Sequence, residues 1–168
     1  MIGLDAKIEK LRARFAAKLF VGSTYASYGR AFITKKKDKN GNFADIPELQ
    51  TSSTVKYAEL LPNRKIDGHS FFLQEGDIEK TEDGYTANVG IYFSVNLNEL
   101  YSSVTERAVE YLHRDAIKQI ENYSFKVIRI VPDLPAFEKF GLVKDTDNME
   151  PYYLCRFDTE IEYKLNCN

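Results

Sequence analysis

From Tyr152 to Leu165 the chain alternates without a break. Tyr153, Cys155, Phe157, Thr159, Ile161, Tyr163 and Leu165 fall on one side, and Tyr152, Leu154, Arg156, Asp158, Glu160, Glu162 and Lys164 on the other. Successive side chains of a strand leave on opposite faces, so the pattern specifies a strand with one apolar face and one charged face. Strands usually run about 5–6 residues. One this long, close to the end of the sequence, is expected to outrun a small domain and meet a neighbour. Tyr152, Leu154, Arg156, Asp158 and Glu160 are therefore the candidate subunit interface, together with the first helix.

Ala87, Val89, Ile91, Phe93, Val95 and Leu97 alternate with Asn88, Gly90, Tyr92, Ser94 and Asn96, which predicts a second long strand. His69–Gln74 pairs with it as a hairpin through a polar turn at 75–84. Leu4, Ile8, Leu11, Phe15 and Leu19 recur at steps of three and four, one face of a helix. Ser102 or Ser103 is expected to cap a second helix running to about Asn122, with Glu106 at the capping-box spacing from Ser103. Phe125–Val131 reads as a strand stopped by Pro132, and Leu134–Phe140 as a short helix or turn. Gly29–Lys35 reads as a short strand, and Asn40-Gly41 as the tip of a hairpin rich in lysine. Residues 43–68 read as irregular. The expected fold is α+β: a mainly antiparallel sheet of about four main strands, with helices packed on one face and a lysine-rich hairpin insertion. Residues 1–168 form a single domain, with the insertion at about 35–68.

A chain of 168 residues with 43% hydrophobic and 13% aromatic content suits one globular unit. A net charge of −2 exerts no global pull on nucleic acid or an acidic membrane. No apolar run approaches the ~20 residues of a membrane span. Asp5, Lys7, Glu9, Lys10, Arg12 and Arg14 stand where a secretory signal would be apolar, so a cytoplasmic site of synthesis and assembly is expected. Cys155 and Cys167 would lie about 40 Å apart on a straight strand, too far for a disulfide. Cys155 reads as a small core residue.

No constellation predicts a reaction. Asp38, Asn40, Asn42 and Asp45 resemble a calcium loop in composition, but glycine and the terminal acid fall at the wrong positions, so a plain turn is expected. His69 and His113 have no zinc-ligand spacing, and neither a nucleophile elbow nor a phosphate-binding glycine loop occurs. Asp158, Glu160 and Glu162 lie along one strand face, which suits a solvated or salt-bridging surface. No cofactor or metal is expected. Lys35, Lys36, Lys37, Lys39 and Asn40 are the candidate partner contact. These lysines could neutralise phosphates, meet an acidic protein, or remain solvated on an exposed hairpin. Tyr25, Tyr28 and Phe32 just before them could stack on bases or pack in the core.

Taken together, Leu4–Leu19, His69–Leu97, Ser103–Asn122, Ser124–Val131 and Tyr152–Leu165 give a leading amphipathic helix, a hairpin running into a long helix, a further strand and a long terminal strand. That arrangement resembles the tail terminator and head–tail joining proteins of tailed phages. The resemblance covers about half the chain and is one of architecture, with no residue motif. It implies a non-enzymatic virion subunit, assembled in the host cytoplasm, that forms a homo-oligomeric ring. It also implies contacts with neighbouring portal, connector or tail proteins, and possible proximity to packaged DNA. The alternative from the residues is a small nucleic-acid-binding or ligand-binding α+β module.

Overall fold

The computed structural model describes residues 3–22, 24–37, 41–50, 57–59, 65–104, 106–140 and 151–165. In chain order the elements are α1 (Leu4–Lys18), β1 (Tyr25–Arg30), β2 (Phe32–Lys37), β3 (Phe43–Gln50), β4 (Tyr57–Glu59), β5 (Gly68–Lys80), β6 (Tyr85–Asn96), α2 (Leu97–Leu100), α3 (Ala108–Asn122), β7 (Phe125–Pro132), a 3-10 helix (Leu134–Phe140) and β8 (Tyr152–Tyr163). The fold is α+β. Its main sheet has five strands in the order β1-β5-β6-β8-β7, and a second sheet has the order β2-β3-β4. The main sheet is mixed: β1 runs parallel to β5, and every other pair is antiparallel.

The two long alternating strands lie side by side. β6 and β8 pair in an unbroken register from Tyr85↔Tyr163 to Asn96↔Tyr152. Their alternation sorts side chains onto the two faces. On one face Val89, Ile91, Phe93, Phe157 and Ile161 meet the stripe Leu4, Ile8, Leu11 and Phe15 of α1 and the stripe Leu112, Ala116 and Ile120 of α3. Phe93 forms the hub, with ring centroids 5.3 Å from Phe15 and 5.3 Å from Phe157. Arg14 of α1 donates to the Gln119 side chain of α3 at 2.8 Å and ties the two helices together.

On the opposite face Phe71, Tyr92, Leu154, Ala136, Phe137 and Phe140 make a second core. Phe71 and Tyr92 stack at 4.8 Å, and the 3-10 helix lies over them with Phe137 and Phe140. Helical structure therefore covers both faces rather than one. The expected turn over 75–84 contracts to Thr81–Gly84, closed by the Thr81 N–H on the Gly84 carbonyl at 3.0 Å. Strand β5 runs on past Gln74 through an irregularity between Glu75 and Glu79, where Gly76 has φ of +74°. Such a bulge lets a polar stretch remain in a strand.

Other expectations are corrected by packing. The four-strand sheet gains β1, because the reading Gly29–Lys35 spans two strands that part at Ala31. The Ala31 N–H bonds to the Phe72 carbonyl at 2.7 Å, and the chain then leaves for the second sheet. Residues 43–50, expected to be irregular, are β3. Neither Ser102 nor Ser103 caps the second helix. Asn96 caps the short α2 by accepting from the Asn98 N–H, and α3 starts only after Arg107, which has a left-handed φ of 63° and makes no side-chain cap. Leu97, Leu100 and Tyr101 pack on the main core, and their burial wins over the local capping signal.

Strand β8 does not outrun the domain. Strand β6 flanks it on one side over its whole length, and β7 flanks it on the other from Cys155 to Ile161. Leu154, expected to be exposed in an interface, is only 3% exposed, beneath the second core.

Candidate functional site

The face opposite α1 and α3 changes character along its strands. Beyond the aromatic patch under the 3-10 helix it becomes polar. There Gly90 of β6 pairs with Asp158 of β8, which pairs with Arg129 of β7. Two pairs along, on the same face, Tyr92 lies opposite Arg156. A cleft of about 330 Å³ opens over Gly90, lined also by Glu75, Asn88, Ile128, Arg129, Lys139, Arg156 and Asp158. Gly90 forms its floor for a steric reason. A Cβ there would lie 2.9 Å from Glu75 Oε1 and 2.9 Å from the Tyr92 ring. A glycine inside a strand often marks such a close approach.

Two ion-pair units line the cleft. In the first, the Tyr92 hydroxyl donates to Glu75 Oε1 at 2.8 Å, and the Lys139 ammonium donates to the same oxygen. In the second, Asp158 lies between two arginines. Arg156 Nε donates to Oδ1 at 2.6 Å, while Arg129 Nε and Nη2 donate to Oδ2 at 2.9 and 2.6 Å. Burial would raise the Asp158 pKa, but the hydrogen bonds and charges of Arg156 and Arg129 outweigh it and hold the carboxyl below its ordinary 3.8. Burial first, and then the Glu75 charge, push the Tyr92 hydroxyl far above its ordinary value, so it remains a proton donor. The cleft thus offers two arginines on one carboxylate and a protonated phenol.

Of the strand residues taken from the sequence as an interface, Arg156 and Asp158 belong to this cleft. Glu160 lies beside it, between Asn88 and Lys126 in register. Tyr152 donates its hydroxyl to the Ile66 carbonyl at 2.7 Å, and Leu154 is buried. Glu75, Tyr92, Arg129 and Lys139 escaped the sequence reading because they come from four other elements. Gly90 in the middle of a strong strand was the signal that could have pointed to them.

The lysine segment takes a different form. Lys35, Lys36 and Lys37 lie on β2, whose antiparallel register with β3 sets Lys35 opposite Asp45 and Lys37 opposite Phe43. Lys35 Nζ is 3.6 Å from Asp45, Lys36 pairs with the buried Glu48, and the Lys37 ammonium lies 5.3 Å from the Phe43 ring centroid. Lys39 and Asn40 lie outside the described residues, as does Asp38 of the calcium-like loop. Phe32, Ile33 and Phe43 are exposed on the same small sheet. Tyr25 stacks on Phe20 against the main core, and Tyr28 packs on the second core.

The two histidines lie apart, His69 buried and His113 half-buried. His113 Nε2 is 3.0 Å from the Tyr153 hydroxyl, and burial lowers its pKa. His69 is buried between the Tyr28 and Phe71 rings. Among the described residues no group of His, Cys, Asp or Glu is placed to hold a metal ion, and no helix is long and apolar enough to cross a membrane. No family model, curated protein or solved structure matches the chain.

Proposed function

We propose that this chain is a structural subunit that assembles with copies of itself into a closed ring, of the kind that joins head and tail in tailed phages. Portal, connector or tail proteins are then its further partners, and the virion is where it acts. The observation that carries the reading is the small sheet. It leaves the main sheet at Ala31 and presents Phe32, Ile33 and Phe43 to solvent beside lysines. Exposed apolar groups on that strand pair, Ile33 and Phe43 on one face and Phe32 on the other, favour a protein partner over a small ligand. The ionic groups of the cleft add support, because each carboxylate there is already satisfied by its own cations.

The cleft favours a second reading, a ligand-binding module, since its size falls at the small end of ligand sites. Mass in solution separates the two. Sedimentation or light scattering of the purified chain, alone and with virion partners, should return several times the mass of one chain. A monomer under both conditions, with a melting temperature raised by inorganic phosphate or citrate, would overturn the ring reading in favour of the cleft.

A further inference from the structure

We infer that the open edge of β2 in one copy pairs with the open outer edge of β5 in the next, joining the sheets of neighbouring subunits head to tail. This rests on the ring reading and names its interface. Strand β2 ends the order β2-β3-β4, and among the described residues its one strand neighbour is β3. Strand β5 is covered by β1 only as far as Phe72. From Leu73 to Lys80 its strand partner among the described residues is β6 alone. Each edge therefore leaves backbone N–H and C=O groups able to template another strand.

The charges on the two edges are opposite in sign. Strand β2 carries Lys35, Lys36 and Lys37, while the open stretch of β5 carries Glu75, Asp77 and Glu79 against a single Lys80 at its end. Lys36 is engaged by Glu48, and Glu75 by Lys139. Lys35 is held only loosely, 3.6 Å from Asp45 with its side chain 74% exposed, and Lys37 rests on an aromatic ring. Asp77 and Glu79 are exposed, and no ion pair reaches them among the described residues. Each edge also shows one exposed isoleucine, Ile33 on β2 and Ile78 on β5.

These charges decide which edges can meet. Two β2 edges would set lysine against lysine, and two β5 edges acid against acid. Like charges directly opposite on paired strands repel, and opposite charges attract. Only the mixed pairing is favourable, and one chain supplies both halves of it, so the partner is a second copy. A contact between two different patches is heterologous, and such contacts close into rings when the rotation allows.

Charge reversal tests this on the full chain. K35E/K37E and D77K/E79K should each weaken self-association about ten- to hundredfold, read as mass against concentration by sedimentation. Mixing the two variants should restore assembly, because the acidic β2 of one meets the basic β5 of the other. The fourfold variant should assemble alone, and all assembly through this contact should weaken with salt. Circular dichroism melts that match wild type show that each variant is folded. If either double variant assembles like wild type, or if folded variants stay monomeric both when mixed and when combined, this interface is wrong while the ring reading stands. If wild type itself is monomeric alone and with virion partners, the ring reading falls and takes the interface with it.

Discussion

The β6–β8 centre and the β2–β3 pair are both antiparallel, yet they are held in different ways. At the centre, alternation puts Phe93 and Phe157 in one core and Tyr92 and Leu154 in the other, so each strand is buried on two faces. In the small sheet Leu49 packs on the second core, while Phe32, Ile33 and Phe43 stay exposed. Its charged contacts, Lys35 with Asp45 and Lys36 with Glu48, run between β2 and β3. Burial of apolar surface contributes far more than half-exposed ion pairs do. The centre therefore contributes more to the stability of the fold than the small sheet does.

The sharpest way to break this contrast is truncation of one aromatic in each region. Phe157→Ala removes a fully buried ring and should cost about 3–5 kcal/mol in urea unfolding. Phe43→Ser removes a ring that is 66% exposed and should cost under about 0.5 kcal/mol. Similar losses would mean that the small sheet is as integral as the centre.

A pair of glycines makes a finer comparison. Gly90→Ala forces a methyl against Glu75 and the Tyr92 ring and should cost about 1–3 kcal/mol by overpacking. Gly41, beside the β2–β3 connection, has open space around it but a φ of +82°. Alanine there should cost about 1 kcal/mol, from backbone conformation alone. Gly90→Ala should also disturb the Glu75–Tyr92 contact and shift the Tyr92 ring signals in NMR, a change that Gly41→Ala should not produce.

The centre should also carry a small pH dependence. Burial lowers the His113 pKa from 6.5, so at lower pH unfolding takes up a proton. The stability linked to the neutral ring is complete above pH 6.5 and declines as pH falls through the lowered folded value. His113→Phe should flatten the urea midpoint over that window. The ring is only partly buried, so the effect is modest. Weakest of all, Lys35→Ala should change the stability of one chain by about 0–1 kcal/mol, and its effect should appear in self-association instead.

Period-2 alternation was enough to specify β6 and β8, and steps of three and four were enough for α1, because each pattern states which face must be buried. Phe93, Leu112, Phe157 and Ile161 were legible as core for that reason, and all four are buried. Val127, read the same way, is only partly buried at the sheet margin. Strand order was not legible. That β8 lies between β6 and β7, rather than at a free edge, depends on which strands find each other across long stretches of chain. The cleft was half legible: Arg156 and Asp158 came from the alternating strand, but Glu75, Tyr92, Arg129 and Lys139 arrive from separate elements. Local pattern decides what a segment buries. Only the packed fold decides what that segment is buried against, because the partners are distant in sequence and are selected by the shape and charge of surfaces that exist only once the sheet has formed.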